Sequence, residues 1–133
     1  LQRRMRELGA EHPETQRARL DLAELYWLGG KPLDARSPAE EAWQALSAAP
    51  EAEPALLARA QSLFGAVLAE EGELEGAEEL LQAGFDGALQ ASGAGAAETR
   101  AAGERLAQLF ERTHRPAEAL RVRGLLAPAT AGD

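Results

Sequence analysis

The chain has 133 residues, of which 45% are hydrophobic and 5% aromatic, and it carries a formal charge of -8 at pH 7. Few β-branched and aromatic residues argue against sheets, whereas abundant alanine, leucine, glutamate and arginine favour helices. The chain has no cysteine, which excludes disulfides, thiolate metal ligands and cysteine nucleophiles. No transmembrane span or signal peptide is recognisable, so we expect a cytoplasmic location.

The charge is unevenly distributed along the chain. Residues 37–98 carry one basic residue, Arg59, against twelve acidic ones. Such an acidic surface disfavours nucleic acid and anionic membranes, because both need counter-charge from lysine and arginine. Two interpretations of the acidic stretch remain open. It forms a solvated surface, or it attracts a basic segment of a partner protein.

Glycine and proline residues indicate where the predicted helices begin and end. Residues 1–8 read as the end of a helix closed by Gly9, so we expect the chain to be a piece of a larger protein. Ser37, Pro38 and Glu40 have the spacing of a capping box, which predicts a helix start there. The predicted helices that follow residues 1–8 are 13–28, 38–48, 54–71, 74–91, 97–112 and 116–126, with a flexible tail over 127–133.

Two glycines interrupt the otherwise strong helix predicted over 74–91. Gly84 and Gly87 each lower helix propensity by about 1 kcal/mol relative to alanine. We interpret them as points where another helix approaches closely.

A segment with the pattern large, small, any, any, large recurs at a fixed spacing. Its copies are 22–26 (LAELY), 64–68 (FGAVL) and 106–110 (LAQLF), which define a 42-residue repeat. Similarity at a fixed period predicts a solenoid, in which helical pairs bury their apolar faces against their neighbours. The sequence therefore favours a binding surface over an active site.

The interval between small residues of paired helices resembles the tetratricopeptide repeat (TPR) pattern. Twelve positions separate Gly65 from Ala77, and the same interval separates Ala107 from Ala119. In the first unit an insertion around 33–36 lengthens the interval by four positions. The resemblance implies an all-α, right-handed α-solenoid of stacked antiparallel helix pairs. It places repeats at 13–49, 54–91 and 97–126 within one domain spanning 1–126.

The linker over 8–15 (LGAEHPET) resembles that of the 42-residue TPR variant found in kinesin light chains and in many bacterial signalling proteins. Those repeats hold the backbone of a bound peptide with a pair of asparagines. The equivalent pairs in this chain are 20–21 (LD), 62–63 (SL) and 104–105 (ER). We therefore do not expect this chain to hold a peptide backbone with such an asparagine pair.

The resemblance also assigns the residues that face a concave groove. The lining mixes charged and apolar side chains, which suits an extended or helical peptide, with Trp27 as a candidate anchor. An equally open alternative packs Trp27 against the preceding helix. The expected partner-binding residues are Arg17, Leu20, Asp21, Glu24, Trp27, Leu28, Arg59, Ser62, Ala66, Glu70, Glu104, Gln108, Glu111 and Arg112.

No set of residues in the sequence indicates catalysis or metal binding. The two histidines, His12 and His114, lie in turns of different units, and we interpret His12 as closing the preceding helix. The carboxylates cluster without histidine or cysteine, so neither a metal nor a cofactor is expected. We expect the large residues Tyr26, Trp43 and Phe110 to belong to the core.

The expected function is a non-catalytic module that binds a peptide or helical segment of a protein, with a segment of basic character as one option. The bias toward alanine, arginine and glycine is typical of GC-rich bacteria, which favours a bacterial signalling or scaffold protein. Self-assembly or intramolecular regulation is the alternative. It would use apolar end faces, for which the candidates are Leu120, Val122, Leu125 and Leu126.

Overall fold

Helices account for most of the chain that the structure, a computed structural model, describes. That part is residues 12–126, so the predicted helix end over 1–8, its Gly9 cap and the predicted tail over 127–133 lie outside it. The elements are α1 (Pro13–Leu28), a 3₁₀ helix (Pro32–Ala35), α2 (Arg36–Ala48), α3 (Pro54–Glu70), α4 (Leu74–Ser92), α5 (Ala97–Arg112) and α6 (Pro116–Gly124). The predicted helices are thus confirmed, with ends that agree within two residues.

Each helix packs against the next one along the chain. The first helix of each predicted repeat also contacts the first helix of the next, so α1 touches α3 and α3 touches α5. Within the described residues, no such contact joins the second helices α2, α4 and α6. The first helices therefore form one layer, and that layer carries the candidate site.

The turns that end α1, α3 and α5 have the same backbone geometry at the spacing of the sequence repeat. Each contains a residue with positive φ, at Gly30 (78°), Gly72 (86°) and His114 (61°). The next N–H along the chain donates to a carbonyl five residues earlier, as in the bond from Arg115 to Phe110. These are the bonds of a Schellman motif, which ends a helix by satisfying its last carbonyls. The repeat seen in the sequence is therefore also a repeat of backbone structure.

The small residues of the repeat lie where helices meet. Ala23, Ala77 and Ala107 are each fully buried. A Cβ added at Gly84 would lie 2.8 Å from the Ser62 nitrogen, on the backbone of α3. The prediction of close helix approach at Gly84 is confirmed, because any side chain at that position would collide with α3.

The start of α2 differs from the prediction. Ser37 does not cap a helix, since α2 begins at Arg36 and no side chain caps it. The insertion in the first unit forms the 3₁₀ helix, and the Arg36 N–H donates to the Leu33 carbonyl. The capping-box prediction is wrong because this backbone turn, rather than a serine hydroxyl, leads into the helix.

His12 caps the helix that follows it, since its Nδ1 accepts a hydrogen bond from the Glu14 N–H at 3.1 Å. The predicted role of His12 in closing the preceding helix concerns residues outside the described part of the chain. One prediction about helix faces needs correction. On α6, the proposed end face contains a buried residue, Val122, and only Leu120 and Leu125 are largely exposed, at 69% and 52%. Val122 fails as a docking residue because it faces α5 and the core.

Candidate functional site

Two neighbouring cavities lie along the layer formed by α1, α3 and α5, and together we call them the groove. The smaller one, the Trp27 cavity, has a volume of about 150 Å³. The side chain of Trp27 is half-buried against the core at its wall. The residues that line it are Trp27, Ala66, Ala69, Glu70, Leu81, Arg105, Gln108, Leu109 and Arg112.

The second, larger cavity has a volume of about 440 Å³, and residues of α4 line both cavities. Arg105 lines both cavities and so joins them into one surface. Most of the wall of the larger cavity is alanine and leucine. Its polar lining is contributed by Glu24, Arg59, Ser62, Ser92, Glu98 and Arg105.

At one end of the groove an arginine is paired with two carboxylates. The Arg59 guanidinium on α3 donates to Asp21 at 2.9 Å and to Glu24 at 2.5 Å, both on α1. Burial lowers the pKa of Arg59, but the hydrogen bonds to these carboxylates outweigh it, and the pKa is raised overall. This three-residue cluster ties α1 to α3, and its one guanidinium and two carboxylates leave a net negative charge.

The centre of the groove carries positive charge. Arg105 Nη1 donates to the Ser62 hydroxyl at 2.9 Å, and Arg112 Nη1 donates to the Ala69 carbonyl at 2.8 Å. Burial lowers the pKa of Arg105, and the positive charge of Arg59 adds to this effect while Glu24 opposes it. Arg105 is therefore a partly desolvated cation whose hydrogen-bond partner within the described chain is neutral.

The structure brings eight of the predicted site residues to the groove. Leu20 is a different case, because it is fully buried in the core and its predicted place on the groove surface is wrong. Ser62 and Ala66 are also buried, and they form the floor of the cavities. The predicted residues that line the groove are Glu24, Trp27, Arg59, Ser62, Ala66, Glu70, Gln108 and Arg112.

The remaining predicted site residues lie outside the two cavities. Arg17 pairs with Glu53 at 2.5 Å, and Leu28 is 77% exposed. Asp21 holds Arg59 from the exposed side of α1. Glu104 and Glu111 bind Arg123 of α6, each with a closest distance of 2.7 Å, so these two carboxylates connect α5 to α6.

Four acidic residues of the stretch identified in the sequence lie together on α4, away from the groove, whereas Glu70 and Glu98 of the same stretch line its cavities. Glu75, Glu78, Glu79 and Asp86 share one face, and none of them lines either cavity. Among residues 12–126 no three acidic or histidine side chains are arranged to hold a metal ion. No helix in that range is both long and apolar enough to cross a membrane.

Sequence reasoning missed the importance of Arg105. The one signal that points to it is its position directly after Glu104, in the place of a family asparagine. Its closeness to Ser62 on another helix could not be foreseen from either residue alone. No known protein family, curated protein or solved structure matches the chain.

Proposed function

We propose that this chain is a TPR-type, right-handed α-solenoid that binds an extended segment of another protein in its groove, without catalysis. The observation that carries the proposal is the Trp27 cavity. There Trp27 of α1, itself half-buried, lies beside small and charged residues of α3 and α5. Tryptophan in such a setting is a preferred anchor for protein recognition.

The repeat geometry supports the solenoid part of the proposal. The turns around Gly30, Gly72 and His114 share their backbone bonds, and the first helices contact one another in series. Successive units related in this way generate a continuous inner surface. That surface would be the layer of α1, α3 and α5 on which the groove lies.

The shape of the groove supports a peptide rather than a small molecule. Small ligands favour enclosed, mostly apolar pockets with few polar groups. Here two cavities meet at Arg105 and are lined by charged side chains from separate helices. An extended segment can contact both cavities at once, with one side chain against Trp27.

The proposal can be tested by selecting binders from a random peptide library displayed on phage. Selected peptides would then be titrated against the native protein and against Trp27→Ala. We expect the substitution to weaken binding tenfold or more, which corresponds to about 1.4 kcal/mol. Circular dichroism and thermal melting should show that Trp27→Ala remains folded.

Leu120→Ala provides the matched control, because Leu120 is an exposed apolar residue on α6 outside the groove. It should leave peptide binding unchanged. Equal binding by native protein and Trp27→Ala would contradict the assignment of the groove. A library that yields no binder at all would contradict the function.

A second candidate function is assembly through α6. Leu120 and Leu125 are exposed at one end of the helical array, and exposed leucines of this kind favour association. Sedimentation velocity over a range of concentrations tests this directly. A concentration-dependent increase in mass that disappears in Leu120→Glu would support assembly, and a monomer at every concentration would exclude it.

A further inference from the structure

The largely exposed leucines of the described chain all lie at the two ends of the helical array. Leu25, Leu28 and Leu33 are exposed on α1 and the 3₁₀ helix at one end. Leu120 and Leu125 are exposed on α6 and at its C-terminal cap at the other end. Helices α2 to α5, which lie between the ends, expose no large hydrophobic side chain. Large apolar side chains are therefore exposed only where a further unit would stack.

Leu25 is exposed at a position that the other units bury. Its equivalents one and two repeats later, Val67 and Leu109, are 1% and 3% exposed, whereas Leu25 is 67% exposed. Val67 lies on α3 and Leu109 on α5, and these helices pack against the second helices before them, α2 and α4. Among residues 12–126, α1 has no second helix before it. Leu25 therefore marks a face of α1 that a second helix can cover.

α6 is a second helix that has no first helix after it within the same range. In the unit before it, Glu78 near the start of α4 binds Arg115 in the turn after α5, at 2.5 Å. Leu120 lies one repeat after Glu78, and Lys31, which follows α1, lies two repeats before Arg115. A copy of α1 that packs on α6 as α5 packs on α4 would therefore bring Leu120 to the turn after α1. That turn leads into the 3₁₀ helix, where Leu33 is 57% exposed.

We propose that copies of this chain assemble head to tail, with α6 of one copy packed on the Leu25 face of α1 in the next. In this contact Leu120 of one copy lies against Leu25 and Leu33 of its neighbour, and burial of these leucines drives the association. A second copy fits this face because its α6 is a second helix, the element that covers the equivalent faces of α3 and α5. The inference rests on the second candidate function, assembly through α6, and specifies the surface that α6 meets.

The two surfaces in this contact differ, so the contact is heterologous and can continue into longer assemblies. Mixing two complementary variants tests this directly. Leu25→Glu places a charge on the α1 face, and Leu120→Glu places one on α6. In sedimentation velocity over a range of concentrations, each variant alone should associate at least tenfold more weakly than the native protein.

An equal mixture of the two variants should form a dimer and nothing larger. Leu25→Glu keeps an intact α6, and Leu120→Glu keeps an intact α1 face, so one productive contact remains between them. Both leucines are exposed, and circular dichroism should show that both variants remain folded. Gln90→Glu adds the same charge at an exposed site on α4 and should associate like the native protein.

Cysteine cross-linking tests which residues meet, and the native chain has no cysteine that would interfere. Leu33→Cys protein labelled with ¹⁵N would be mixed with unlabelled Leu120→Cys protein and treated with a short bismaleimide. Mass spectrometry should then detect labelled and unlabelled peptides joined at these two positions. Gln90→Cys used in place of Leu33→Cys should not give this product.

Four results would count against the inference. A native protein that is monomeric at every concentration would exclude both this contact and assembly through α6. A monomer that loses thermal stability in Leu25→Glu would show in addition that α1 is covered within its own chain. Association that is lost in Leu120→Glu, unchanged in Leu25→Glu and not restored by mixing would keep assembly through α6 and reject the head-to-tail contact. Equal cross-linking of Leu33→Cys and Gln90→Cys would reject the assigned contact of Leu120.

Discussion

Arg115 contacts Phe110 through both its backbone and its side chain. Its N–H donates to the Phe110 carbonyl at 2.7 Å, and its guanidinium carbon lies 4.6 Å from the centre of the Phe110 ring. The backbone bond closes the turn after α5, and the side chain covers an aromatic residue of the core. His114, which precedes Arg115, has a positive φ, as Gly30 and Gly72 have in the equivalent turns.

Replacing His114 with glycine should stabilise the protein. The left-handed conformation costs a residue with a Cβ about 1–2 kcal/mol, and the greater freedom of glycine in the unfolded chain offsets part of the gain. We expect His114→Gly to raise the free energy of unfolding by about 0.5–1 kcal/mol, measured by urea denaturation.

Gly72→Ala is the reciprocal control for this change. An added Cβ at Gly72 would meet nothing within 4 Å, so only the backbone conformation is altered. We expect a destabilisation of about 1 kcal/mol. If His114→Gly and Gly72→Ala changed stability in the same direction, the strain assigned to His114 would be refuted.

Alanine substitutions at two glycines of α4 should have opposite effects. At Gly84 the new Cβ would lie 2.8 Å from the Ser62 nitrogen and 3.0 Å from the Ala58 carbonyl oxygen, and neither backbone atom can move freely. We expect Gly84→Ala to destabilise the fold by about 1–3 kcal/mol through separation of α3 and α4. Thermal or urea unfolding measures the loss.

Gly76→Ala is the matched control in the same helix. Its Cβ would meet only the end of the Leu68 side chain, at 3.4 Å. The higher helix propensity of alanine should then stabilise the protein by up to about 1 kcal/mol. Equal effects at Gly76 and Gly84 would show that helix contact is not what requires glycine at position 84.

The contribution of Arg123 to stability should disappear in acid. Hydrogen bonds from Arg123 are the largest cause of the lowered pKa of both Glu104 and Glu111. A lowered folded-state pKa gives stability that is present above the unfolded-state value and is lost as the pH falls through the folded-state value. Arg123→Gln should therefore be less stable than the native protein at neutral pH and equally stable once both carboxylates are protonated.

Urea unfolding of both proteins, from neutral pH to well below the ordinary glutamate pKa of 4.5, in the range of the lowered folded-state values, measures this difference. Arg121→Gln is the control, because Arg121 is exposed and lies 3.8 Å from Glu118. Its effect should be small throughout, as is typical of exposed ion pairs. A difference for Arg123→Gln that stays constant with pH would contradict the role assigned to the two glutamates.

Most of the helices could be predicted from residues close together in the sequence. The features that could not be predicted depend on contacts between residues far apart in the sequence. Proline and glycine at helix ends depend only on nearby residues, so bounds such as those of α5 follow from the sequence. The burial of Leu20 and the contact between Arg105 and Ser62 depend on how helices pack. Ser37 shows the limit of a local motif, because the 3₁₀ helix before it changes where α2 begins.

Duplication of one unit tests whether the 42-residue repeat is a structural module. A second copy of residues 55–96 inserted after Ala96 keeps the register, since Ala55 and Ala97 occupy equivalent positions. In a solenoid each unit contacts only its neighbours, so the longer protein should fold cooperatively with no loss of thermal stability. Helicity per residue should be unchanged and the radius of gyration should increase, as measured by circular dichroism and X-ray scattering. Inserting residues 55–75 alone breaks the alternation of helices and should reduce cooperativity; if the full copy were equally disruptive, the chain would not be a modular solenoid.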